Sequence, residues 1–127
     1  MSPTDEPMFL PGVPTVDAYR VAFRACRDGM SDLDLAMLEA HHRAPHHTLT
    51  AGELAVAVGL PSYSAANLRY GLFAGRLCQA LGLRPQFNVE ALVSFSGGDD
   101  PGDDLIKWTM RPEVVTALEA MRWVRPA

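Results

Sequence analysis

The chain has 127 residues, 48% of them apolar and 20% charged, with two cysteines and a net charge of −4. That length supplies one globular domain whose folding buries about two-thirds of the unfolded surface, so a core needs neither disulfides nor a metal. The opening stretch MSPTDEPMFLPGVP lacks the basic start and apolar run of a secretory signal, and the longest apolar stretch, Leu54 to Leu60, is far below the roughly 18 residues of a membrane span.

Residues 1–14 read as a Pro-rich tail and residues 15–127 as one domain, expected in the cytoplasm with Cys26 and Cys78 as isolated buried thiols. Pro14 and Thr15 predict a helix start, followed by Val16, Tyr19, Phe23, Cys26 and Met30 at spacings of three and four, so the first helix runs to about Asp28. Arg20, Arg24 and Arg27 form a basic ridge beside that stripe. Gly29 ends the helix, and Ser31 with Asp34 resembles a capping box opening a second helix to about Arg43, with Leu35, Leu38 and His42 facing inward. Pro45 stops it.

Thr50-Ala-Gly-Glu53 is a capping box that opens a helix of about eight residues, stopped by Gly59. Leu60-Pro61 makes a tight turn, Ser62 caps again, and a long helix runs from about Tyr63 to Leu81. Leu54, Ala55, Val58, Ala65 and Leu68 are expected to fill the angle between the two helices. The long helix also carries an apolar row, Tyr70, Phe73, Leu77 and Leu81, and a row of small residues, Gly71, Ala74, Gly75 and Cys78. A helical glycine costs about 1 kcal/mol relative to alanine, so the small row implies close approach of another helix, the first or the last, or a homodimer face.

Beyond Gly82 the period becomes 2: Ala91, Val93 and Phe95 alternate with polar residues and Leu92, and Ile106, Trp108 and Met110 alternate across the loop GGDDPGDD. Pro112 and Glu113 open a last helix with Val114, Leu118 and Met121 inward.

Helix, short extended Thr48-Leu49, helix, turn, helix, strand, loop, strand is the order of a winged helix-turn-helix domain. From about Ser31 to Met110 the chain resembles that family, carried by LTAGELAVAVGLPSYSAANLR and the hairpin of VEALVSFS and LIKWTM. The motif region is also similar to winged-helix modules found beside nuclease domains in bacterial restriction systems, without a nuclease motif of its own. The resemblance implies an α+β, mostly α, winged helix-turn-helix fold with an added helix at each end, a hairpin wing and duplex DNA as ligand. Carried over, the groove-facing residues are Ser62, Tyr63, Ser64, Asn67 and Arg69, with Arg20, Arg24 and Arg27 as phosphate contacts. The alternatives are a cap for Ser62, a staple or core residue for Tyr63, and solvated positions for Asn67 and the arginines.

Charge divides the readings. Asp5, Glu6, Asp99, Asp100, Asp103 and Asp104 sit in the tail and the wing loop, leaving nine acids against eleven bases elsewhere, ten of the bases arginine. A transcriptional regulator or accessory DNA-binding module is one reading; the other is a protein-binding winged helix, an adaptor or inhibitor of a nucleic-acid enzyme, because four carboxylates on a wing repel phosphates. Neither is an enzyme: no phosphate loop, nucleophile elbow or cysteine–histidine pair is present. His41, His42, His46 and His47 hold the chain's imidazoles within seven residues, but Pro45 breaks the helix between the pairs, so the cluster reads as a polar helix terminus rather than a metal site.

Overall fold

The computed structural model describes residues 13–97 and 106–125; the segments expected to form the Pro-rich tail and the acidic loop GGDDPGDD lie largely outside them. The fold is α+β and mostly helical, with five α-helices and a three-stranded antiparallel sheet. Helix α1 spans Val16–Cys26, capped by the Thr15 hydroxyl on the Ala18 amide, and its last turn tightens into a 3-10 turn, Arg27–Gly29. Helix α2, Asp32–Arg43, begins with the reciprocal capping box of Ser31 and Asp34 and ends where Pro45 forbids continuation.

Strand β1, Thr48–Thr50, leads into α3, Ala51–Val58, whose Thr50–Glu53 box closes both ways and whose exit is Gly59 at φ 79°. That left-handed geometry suits glycine, and it lets the chain turn into α4, Tyr63–Leu81, capped by Ser62 on the Ala65 amide at 3.2 Å. A 3-10 turn, Asn88–Ala91, precedes β2, Val93–Ser96; β3 is Lys107–Met110 and α5 is Pro112–Ala120. The strand order is β1-β3-β2, with Leu49 opposite Trp108 and Phe95 opposite the other side of Trp108. The short extended Thr48-Leu49 is therefore the third strand of the sheet.

One apolar cluster joins all five helices to the inner face of the sheet. Tyr19, Phe23, Phe73, Leu77, Ile106, Trp108, Val114 and Leu118 are each at most 1% exposed. Tyr19 also ties α1 to the far side of the fold: its hydroxyl donates to the Ala91 carbonyl at 2.7 Å. Burial pushes that phenol up to about 12, so it remains a donor across the working pH range.

Several expectations change at this level. Leu68 does not fill the angle between α3 and α4; it is 62% exposed, and Ala66 and Tyr70 are buried in its place. A helix has one phase, and a residue two positions on lies about 200° around the axis, so a face built on Ala66 and Tyr70 must turn Leu68 outward. The two interior glycines also separate. A Cβ on Gly75 meets the Asn88 side chain at 3.0 Å, so its close neighbour is the 3-10 turn rather than the first or last helix, whereas a Cβ on Gly71 meets nothing within 4 Å. Leu35 is only half-buried, while Met37 joins Leu38 and His42 in the core; Leu92, placed on the outer side of its strand by the alternation, is fully buried because the 3-10 turn shifts the phase entering β2.

Candidate functional site

Helix α4 exposes Tyr63, Leu68 and Leu72, and its two flanks are built differently. The flank toward α2 is closed by a charge cluster around Asp34, which is 3% exposed. One Asp34 oxygen accepts the Ser31 amide at 3.0 Å, as the capping box requires, and also the Arg76 guanidinium at 3.4 Å; the other lies 3.9 Å from the Arg69 guanidinium. Arg69 further donates to the Ser31 hydroxyl at 3.2 Å, and Arg76 to the Gly29 carbonyl at 2.8 Å. These are the two charged residues of α4, and both are turned back onto α2. A carboxylate this buried is tolerable because an amide and two guanidinium groups surround it.

The outward flank is bordered by the partly exposed guanidinium groups of Arg69 and Arg76 and is otherwise uncharged within α4. Pro61, Ser62, Tyr63 and Ser64 are exposed in sequence at the start of α4, with Tyr63 at 37%, and Asn67 is half-buried beside them. One and two turns on come Leu68 and Leu72, 62% and 57% exposed, with Gly71 open between them. Of the residues expected to face a groove, Ser62, Tyr63, Ser64 and Asn67 thus lie together at one end of α4, but the Ser62 hydroxyl is engaged as the cap and Arg69 is held at Asp34. On α1, Arg20 pairs with Asp17 at 3.5 Å, while Arg24, and Arg27 in the 3-10 turn after it, are exposed.

The histidines form a second constellation, and not a solvated helix end. His41 and His42 are 0% and 2% exposed. His41 Nε2 lies 3.0 Å from the Trp108 carbonyl, which can only accept, so Nε2 carries the proton and Nδ1 accepts from the Tyr70 hydroxyl at 2.8 Å. Burial pulls His41 down to about 4 and pushes the Tyr70 phenol well up, which keeps both neutral. His42 Nε2 donates to Glu119 at 2.7 Å, tying α2 to α5, and His47 Nδ1 donates to the His42 carbonyl at 2.6 Å. Three of the four imidazoles are thereby committed to the fold.

The residues that sequence reasoning missed are Asp34 and Arg76 as a pair and Leu68 with Leu72 as a surface. Ser31 and Asp34 were visible as a cap, but their second role depends on α4 arriving from about forty residues away. No family model, curated protein or solved structure matches this chain.

Proposed function

We propose that the chain is a non-enzymatic recognition module on a winged-helix-like scaffold, and that the outward flank of α4 binds a protein. The observation that carries this is the allocation of charge: both arginines of α4 are paired with Asp34 while staying partly exposed, and the exposed arc beside them presents Leu68 and Leu72. Duplex binding draws most of its affinity from Lys and Arg on phosphates, and a helix lying in a major groove without them has little to hold it there. Exposed leucines spaced one turn apart instead supply the apolar centre that protein interfaces use. The role that fits is an adaptor or inhibitor, with the acidic wing sequence favouring a basic partner such as a nucleic-acid enzyme.

Duplex DNA is the second reading, favoured by the exposed first turn of α4, where Tyr63, Ser64 and Asn67 stand together at a helix N-terminus, with Arg24 exposed on α1 and Arg27 in the turn after it. An affinity capture with wild-type and Leu68→Glu protein separates the two. The protein reading predicts a partner retained by the wild type in about 200 mM salt and lost by the variant, with no salt-steep duplex binding. Duplex affinity that falls steeply with salt, and is weakened by Asn67→Ala and Arg24→Ala, overturns it.

A further inference from the structure

An open groove of about 660 Å³ lies between the end of α2, β1 and α3, within the size range of small-molecule sites. Its apolar lining comes from Ala40, Leu49 and Ala57, and cationic or titratable side chains, Arg43, His46 and Lys107, stand around it. Lys107 has no carboxylate within ion-pair distance among the described residues, and Arg43 is held by Glu39 at 3.1 Å yet remains 68% exposed. The one acid in the lining, Glu53, is occupied: its Oε1 accepts the Thr50 amide at 2.9 Å.

The backbone beside the groove is unusual. His46 and His47 both have φ 56°, a left-handed geometry that costs a non-glycine residue on the order of 1 kcal/mol or more. At His47 the cost is offset within the fold, since its amide donates to the Ala44 carbonyl at 2.8 Å and its ring to His42. At His46 the ring makes no hydrogen bond among the described residues; the turn delivers it to the groove.

The edge of β1 does not accept a further strand here. The Thr48 amide is taken by the Pro45 carbonyl and the Thr50 amide by Glu53, so an extended peptide would find the donors it needs already used. We propose that the groove binds a small organic anion, with a carboxylate or phosphate-monoester head at Lys107, a short apolar body over Leu49 and Ala57, and His46 at the other end of the groove. This is independent of the partner assigned to α4.

The test is a titration of the isotope-labelled protein, followed by amide chemical shifts, with octanoate and octyl phosphate as probes and octanol and octylamine as controls. The expected result is saturable binding of at least one anion at micromolar to millimolar concentration, with shifts centred on Leu49, Ala57 and Lys107. Lys107→Glu should weaken it about tenfold, and Ala57→Trp, which fills the groove from an exposed helix position, should abolish it; thermal unfolding of each variant confirms that it is folded. Absence of saturable shifts, shifts centred elsewhere, equal binding of octanol, or binding unaffected by Lys107→Glu would each overturn the proposal.

Discussion

The two flanks of α4 reverse the usual allocation of polarity. Toward α2 the helix pairs its charges, with Arg69 and Arg76 meeting the buried Asp34; toward solvent it exposes leucine at positions 68 and 72. A monomer whose only requirement was to fold would do better with the leucines inside. The difference teaches that the inner flank is explained by the fold and the outer flank is not, so the outer flank is where function is to be sought.

The most damaging way to break the contrast is Asp34→Ala. It removes the N3 carboxylate of α2 and leaves two guanidinium groups without their acid, and because those groups are nearly half exposed the loss is about 3 kcal/mol rather than more, measured as a lower urea midpoint at constant slope. The same change frees two cations on α4, so non-specific duplex affinity should rise with a steeper salt dependence than wild type.

Acid acts next, through the inner side of the helix. His41 titrates near 6.5 unfolded and at about 4 folded, so the stability from its neutral ring is complete above about 6.5 and is lost as pH falls toward 4. Between about pH 7 and pH 5 the unfolding free energy should drop by about 2 kcal/mol, and a flat urea midpoint over that range would contradict the His41–Tyr70 assignment. Tyr70→Phe leaves His41 Nδ1 without a donor and should cost about 1–2 kcal/mol in the same assay at neutral pH.

The glycines sharpen the comparison within one helix. Gly71→Ala enters open space and should stabilise by up to about 1 kcal/mol, whereas Gly75→Ala pushes on Asn88 and should gain less or lose stability. If Gly71→Ala stabilises the monomer while weakening partner capture, the partner's backbone approaches at that point. Leu68→Glu has the smallest effect on folding, within about 0.5 kcal/mol, because its side chain is already in solvent; thermal melts should overlay.

The helices were legible where local chemistry sets their ends. The Ser31–Asp34 and Thr50–Glu53 boxes, Pro45, Gly59 and Gly82 place α2, α3 and α4 within the spans expected from the sequence. What stayed hidden needed tertiary information. α4 is apolar on nearly every side, so its periodicity did not decide whether Leu68 or Ala66 faces the core, and Arg69 reads as a surface cation until Asp34 is brought beside it. His41 looks like a polar helix end, and it becomes a core residue only because Tyr70 and Trp108, distant in sequence, supply both of its hydrogen bonds.

The most direct test of the central claim is the anisotropy of a labelled mixed-sequence duplex titrated with wild-type protein at about 50 and 200 mM salt. With the charges of α4 held at Asp34, binding should be weak at the lower salt and change little at the higher. A tight complex at the lower salt whose affinity collapses at the higher, and which Asn67→Ala weakens, would contradict the account and assign the outward flank of α4 to DNA.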